Sequence, residues 1–76
     1  MFLHIGGDCS VPVKDIALIL GWDEMPESAR KALEAKKCVD AGGARRSAVL
    51  TADAVYYSPI SKGALRKRLR DVVKYS

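Results

Sequence analysis

The feature that most constrains the fold is a pair of β-prone runs with a short connection between them. Residues 47–51 read Ser-Ala-Val-Leu-Thr, residues 55–58 read Val-Tyr-Tyr-Ser, and Ala52-Asp53 forms a tight link. Aliphatic, β-branched and aromatic residues around such a link are typical of a hairpin. Pro59 cannot donate to a β-ladder and therefore ends the second strand, while Ser61 is suited to cap a helix. The sequence predicts a hairpin followed directly by a helix.

Two arginines stand immediately before this hairpin. Arg45 and Arg46 follow the glycine pair Gly42-Gly43, in a loop that the hairpin would hold in place. Glycine lets the main chain approach a ligand closely, and a guanidinium fork matches the oxygens of a phosphate. The pair is therefore a candidate phosphodiester-binding site, with two solvated loop arginines as the simpler alternative. In either case we expect the side chains to add little to core packing.

The rest of the chain is predicted to supply two more strands and two helices. Residues 16–20 are an apolar run too short for a stable helix, so we predict a strand at residues 15–20 that is buried on both faces, by the core and by a neighbouring subunit. Residues 26–37 begin at a proline and end in two lysines, and residues 61–74 have apolar residues at helical spacing, which predicts two helices. Cys38-Val39 is either a short strand or a connector. The predicted fold is α/β (α+β), a single domain over residues 1–76 with a sheet of about four strands, at residues 1–5, 15–20, 47–51 and 55–58.

The short chain predicts self-association. A domain of 76 residues buries little surface, and domains of this size commonly need an additional source of stability. Cys9 and Cys38 have neither a metal-ligand spacing nor a disulfide framework, and we expect both to be reduced. A homo-oligomer, best a cyclic one, would cover the apolar surface that one subunit leaves open.

Charge is distributed unevenly along the chain. Residues 1–44 contain five basic and seven acidic groups, whereas residues 45–76 contain eight basic and two acidic groups. A basic ridge on the last predicted helix consists of Lys62, Arg66, Arg70 and Lys74. Such a surface suits a polyanionic partner, either nucleic acid or a membrane surface, although a solvated basic face gives the same pattern. Arg66 and the adjacent Lys67 are secondary candidates for DNA binding.

Patterns typical of enzymes, metal sites and membrane proteins are missing from the sequence. His4 has no nucleophile beside it in any local motif, and two cysteines with one histidine fall one ligand short of a closed zinc site. Neither a Walker loop nor a dinucleotide-binding fingerprint occurs. The first residues lack the regions of a signal peptide, and no run could span a membrane. We expect a cytoplasmic protein without enzymatic activity, cofactor, metal, small-molecule substrate or membrane partner.

Several segments together resemble the bacterial extracellular matrix regulator family of RemA and RemB. They are Phe2–Asp8, Lys14-Asp15-Ile16, Pro26 with its helix, Val39-Asp40-Ala41, Arg45-Arg46 before Ser-Ala-Val, and above all Val55-Tyr56-Tyr57-Ser58-Pro59-Ile60-Ser61 followed by Leu65-Arg66-Lys67-Arg68. The resemblance covers nearly the whole chain. It implies a transcriptional regulator of biofilm matrix genes that binds double-stranded DNA as a closed ring of small α/β subunits.

The resemblance also implies where DNA is bound. Family DNA contacts fall on the arginine pair, here Arg45 and Arg46, and a further family arginine maps onto Asp15, where only the neighbouring Lys14 could substitute. One subunit offers few phosphate contacts, but a ring would repeat them along bent DNA. Recognition would then depend on backbone contacts and DNA deformability. Two other functions remain open, namely an oligomeric scaffold or interaction protein and a basic protein on a membrane surface.

Overall fold

The structure, a computed structural model, describes residues 1–74. The strands in this part of the chain are β1 (Phe2–Gly6), β2 (Cys9–Pro12), β3 (Ile16–Gly21), β4 (Cys38–Asp40), β5 (Ser47–Thr51) and β6 (Val55–Ser58). The helices are α1 (Glu27–Glu34) and α2 (Lys62–Lys74), and two short 3-10 turns occupy Val13–Asp15 and Trp22–Glu24. The predicted fold class, α+β with two helices beside a four-stranded sheet, is confirmed.

The main sheet has the strand order β3-β5-β6-β4. Its centre is the predicted hairpin, in which β5 and β6 run antiparallel with Ser47 opposite Ser58 and Leu50 opposite Val55. Thr51 closes the turn, because its backbone N–H and its hydroxyl both donate to the carbonyl of Ala54. At the edges of the sheet, β3 is antiparallel to β5, and β4 is parallel to β6. Cys38-Val39 is therefore part of a strand.

The prediction that residues 1–5 belong to this sheet is wrong. β1 pairs instead with β2, a strand that was not predicted, in a separate two-stranded sheet. The reversal between them uses Gly6 at φ 123° and Gly7 at φ 52°, backbone conformations that glycine adopts without a steric penalty. Alternation along a strand indicates which side chains are buried, but it does not specify the partner strand. The fourth place in the main sheet belongs to β4.

One face of the main sheet, here called the covered face, lies beneath both the β1–β2 hairpin and α2. Its buried cluster consists of Leu3, Ile5, Val11, Ile19, Val49 and Leu65. The buried Ser58 hydroxyl donates to the Ile5 carbonyl at 2.6 Å, and its oxygen accepts the N–H of Ile60 at 3.0 Å. The strand β1 is thus joined to β6 by packing and by a buried hydrogen bond.

The opposite face, here called the open face, is covered only in part. Its cluster consists of Met25, Leu33, Ala48, Val55 and Tyr57, with Trp22 packed against it. The helix α1 ends at Glu34 rather than at the predicted residue 37, because the carbonyl of Lys37 already accepts the N–H of Val55 in the sheet. A short helix cannot reach across the sheet, and Leu18 on β3 stays 47% exposed. The prediction that a neighbouring subunit buries this second face of the strand stays a prediction.

The helix α2 follows the prediction closely. Ser61 caps it, since its hydroxyl oxygen accepts the backbone N–H of Ala64 at 3.3 Å. Leu65 is fully buried and Leu69 half-buried against the covered face, whereas Val73 near the end of the helix is 51% exposed. The helix is therefore amphipathic, with its apolar side on the sheet and its basic side in solvent.

Candidate nucleic-acid interface

The arginine loop is held at both of its ends. At its start, the Asp40 carboxylate accepts the backbone N–H of Gly42 at 2.8 Å, and Gly42 and Gly43 have positive φ values of 100° and 73°. At its end, the N–H of Arg46 donates to the Ser58 carbonyl at 2.8 Å, and the Arg46 carbonyl accepts the N–H of Trp22 at 2.9 Å. The backbone of the arginine pair is thus fixed by the sheet, as the sequence indicates.

Arg45 does not project freely from this loop. Its guanidinium carbon lies 4.1 Å from the centroid of the Tyr57 ring and 5.5 Å from that of Trp22. Its nitrogens lie 3.4 Å from a carboxylate oxygen of Asp40 and 3.4 Å from one of Glu34. The expectation of little packing is wrong for Arg45, because the alternation of β6 places the Tyr57 ring on the open face, where α1 leaves it accessible to the loop.

Arg46 is the exposed member of the pair. Among residues 1–74, no carboxylate lies within salt-bridge distance of its guanidinium. It borders a shallow cavity of about 210 Å³ together with Glu24 and the first turn of α2, where Ser61 and Lys62 stand. Lys62 is ion-paired with Glu24. Arg46 therefore combines a fixed backbone with an exposed cationic side chain that makes no salt bridge to the carboxylates of residues 1–74, although Asp23 and Glu24 line the same cavity.

Lys14 lies at the other end of the sheet. It is exposed in the 3-10 turn before β3, next to Ile16, which pairs with Thr51 at the end of β5. Arg46, by contrast, immediately precedes Ser47 at the start of β5. A strand rises roughly 3.4 Å per residue, so the length of β5 separates the two regions by roughly 15 Å. The structure does not bring Lys14 and the arginine pair together within one chain.

Arg66 and Lys67 are both exposed on α2. Arg66 is one helical turn beyond Lys62 and on the same side of the helix, so the basic ridge begins at the cavity that Arg46 borders. Arg68, on another side, donates to the carbonyl of His4 at 3.3 Å and so helps to hold β1. The arginine loop and the ridge are neighbours in space, which sequence spacing did not predict.

Three further residues near Arg45 could not be recognised from the sequence. The Trp22 and Tyr57 rings meet edge to face with centroids 5.4 Å apart, and the guanidinium of Arg30 lies 4.7 Å from the Trp22 ring centroid. Burial of Tyr57, with a further contribution from the neighbouring Cys38 side chain, raises the pKa of its phenol to about 12. No local pattern links Trp22, Arg30 and Tyr57, since they come from three different elements.

Residues 1–74 contain no group of three or more histidine, cysteine or acidic side chains arranged to hold a metal ion. No helix in the same range has the length and apolar character needed to cross a membrane.

Comparison with known proteins gives the family. Residues 2–69 match the family model for RemA-like proteins, described as extracellular matrix regulatory protein A-like. The chain belongs to this family. It is also 32% identical over 72 residues to extracellular matrix regulatory protein B of Bacillus subtilis (strain 168), a match that covers 90% of this chain and 89% of that protein. The resemblance of the sequence to RemA and RemB is thereby confirmed. The family is one of extracellular matrix regulatory proteins.

Proposed function

We propose that this RemA-like protein is a transcriptional regulator that binds double-stranded DNA through its arginine loops. The observation that carries the proposal is Arg46, an exposed guanidinium with no carboxylate partner in residues 1–74, on a backbone held by Ser58 and Trp22. Because the backbone is already fixed, binding does not have to order the loop, and the guanidinium can bind a phosphate bidentately. Its position next to α2 also places it beside further positive charge.

Arg45 has a second role in this proposal. Its stacking on Tyr57 fixes the plane of the guanidinium, but its two carboxylate partners offset its charge. A phosphate that binds Arg45 must compete with Asp40 and Glu34. Arg46 is therefore expected to contribute more affinity than Arg45, and Lys14, far from both, to contribute less.

The active form in this proposal is a homo-oligomeric ring. Large apolar side chains remain exposed in one subunit, with Phe2 at 62% and Leu18 at 47%. Phe2 and Val73 also border an apolar groove of about 640 Å³. Apolar surface of this kind favours subunit contacts. A ring would repeat each loop along bent DNA, so that weak contacts sum to useful affinity.

The test is fluorescence anisotropy with a labelled DNA duplex across a salt series. We expect Arg46→Ala to weaken binding on every DNA sequence and to flatten the dependence of log affinity on log salt by about 0.9 per lost phosphate contact, counted over the engaged subunits. The free energy of unfolding should change by no more than about 0.5 kcal/mol, because the side chain is exposed. Lys31→Ala removes the same charge from an exposed, Glu27-paired position on α1 and serves as the control.

Other outcomes would identify a different function. If Arg46→Ala binds like the parent while Arg66→Ala and Lys67→Ala fail, the basic ridge is the DNA surface and the loop assignment is wrong. If the parent does not bind DNA even at low salt, the DNA-binding function is wrong. Co-sedimentation with anionic liposomes would then indicate a membrane-surface protein, and its absence in an oligomeric protein would indicate a scaffold.

Native mass measured by light scattering tests the ring separately. We expect a multiple of the 8.3 kDa subunit at micromolar concentration. Phe2→Ser should lower that mass, because it removes apolar contact surface from a residue that is exposed within the subunit. A parent protein that scatters as a monomer would contradict the oligomer.

A further inference from the structure

Arg30 on α1 carries a positive charge close to the arginine loop, because its guanidinium and that of Arg45 both lie over the Trp22 ring. The residue at the usual i+4 pairing position is Glu34, but Glu34 contacts Arg45 instead. Among residues 1–74, no carboxylate lies within salt-bridge distance of Arg30. Its helical neighbour Lys31, by contrast, is paired with Glu27. The positive charge of Arg30 is therefore not offset within the described chain.

The guanidinium of Arg30 is nevertheless held in one orientation. Its Nε and Nη2 donate to the backbone carbonyl of Trp22 at 3.2 and 2.7 Å, and its carbon lies 4.7 Å from the Trp22 ring centroid. A guanidinium has five N–H donors, and these two hydrogen bonds leave three of them for another acceptor. A fixed fork with spare donors is suited to a phosphate oxygen.

Trp22 brings Arg30 to the arginine loop. Its ring contacts Arg30 and also Arg45, whose guanidinium lies 5.5 Å from the same centroid, and its backbone N–H donates to the carbonyl of Arg46. One residue thus positions three arginines that are far apart in sequence. Two of them, Arg30 and Arg46, have no acid partner in the described chain.

We propose that Arg30 is a third phosphate-binding side chain of the DNA interface, with Trp22 as the residue that positions it beside the arginine loop. The inference rests on the proposed DNA-binding function. It places the interface across the Trp22 turn and α1 as well as the loop, so the DNA would approach on the side of the open face.

The closing experiment separates a phosphate contact from a structural role. Arg30→Gln removes the charge but keeps an amide N–H that can donate to the Trp22 carbonyl, whereas Arg30→Lys keeps the charge and loses the fork. Lys31→Ala is the matched control, since it removes one charge from the adjacent position. Each variant is measured by duplex anisotropy across a salt series, together with urea unfolding and with Arg46→Ala.

We expect Arg30→Gln to unfold near the parent midpoint, to lose about tenfold or more in affinity, and to flatten the salt dependence by about 0.9 per contact and engaged subunit. Arg30→Lys should keep most of the salt dependence with a smaller loss of affinity. Lys31→Ala should change the affinity and the salt dependence less than Arg30→Gln does.

Two results would overturn the inference, and they are distinguishable. If Arg30→Gln binds with the parent affinity and salt dependence while Arg46→Ala does not, Arg30 only supports the Trp22 turn and the proposed function stands. If the parent itself does not bind the duplex, the proposed function and the role of Arg30 fail together.

Discussion

The two faces of the main sheet differ in how they are closed. The covered face is sealed by α2 and the β1–β2 hairpin, and Leu3, Ile5 and Leu65 are 0% exposed there. The open face has only the eight-residue α1 and the Trp22 turn, and Leu18 remains 47% exposed. One face is thus a completed core, while the other, although Tyr57 is also 0% exposed, leaves Leu18 exposed and the Trp22 ring half-buried against two arginines.

The difference shows where this small domain keeps its polar interactions. On the covered face, the buried polar contact from Ser58 to Ile5 joins one strand to another. On the open face, aromatic rings contact arginines, and carboxylates pair with one of those arginines. Stability is therefore expected to depend mainly on the covered face, and binding on the edge of the open face.

The largest expected effect comes from equal truncations on the two faces. Buried leucine-to-alanine changes cost about 2 to 5 kcal/mol. We expect the loss of unfolding free energy to lie near the upper end of this range for Leu65→Ala, where the side chain is 0% exposed. For Leu33→Ala on the short α1, where the side chain is 7% exposed, we expect a loss near the lower end. Urea unfolding at one protein concentration gives both values. Equal losses would show that the open face is as well packed as the covered one.

A smaller effect is expected from Tyr57 at high pH. Its folded-state pKa of about 12 exceeds the ordinary value of about 10, so the folded form holds the phenol proton more tightly than the unfolded form does. This contribution to stability is complete below about pH 10 and is lost as the pH rises towards 12, by at most about 1.4 kcal/mol per pH unit. Tyr57→Phe should lack this loss. Identical unfolding free-energy slopes for parent and variant between pH 9 and about 11 would contradict the assignment.

The smallest expected effect is at Asp40. Asp40→Asn keeps an oxygen to accept the Gly42 N–H but removes the charge that pairs with Arg45. Stability should fall by about 0.2 to 1 kcal/mol, while DNA affinity should rise, since Arg45 has one carboxylate fewer. Asp53→Asn, in the turn at the far end of β5, is the control of equal charge. An equal rise for both variants would mean that net charge alone sets the affinity.

Much of the local structure could be predicted from the sequence. The hairpin, its Ala52-Asp53 turn and the helix capped by Ser61 all depend on neighbours within a few residues, and the structure has them where they were expected. The separate β1–β2 hairpin was missed, because β2 has only four residues and one of them is Pro12. Short strands of mixed composition give a weak pattern.

The candidate site was predictable only as a list of residue types. The sequence indicated arginines at a loop and a basic helix, and it placed their backbone correctly at the root of the hairpin. It could not indicate that Arg45 stacks on Tyr57, that Lys14 lies at the opposite end of the sheet, or that Trp22 joins Arg30 to the loop.

The sequence by itself therefore determined the central hairpin, the cap of α2 and where positive charge accumulates. These properties depend on backbone preferences, alternation and capping between residues close in the chain. Only the tertiary structure decided which arginine is neutralised and which stays available. That outcome depends on which face of the sheet each strand turns towards a distant element. It also depends on the short α1, which leaves the Tyr57 and Trp22 rings in contact with Arg45 of the loop.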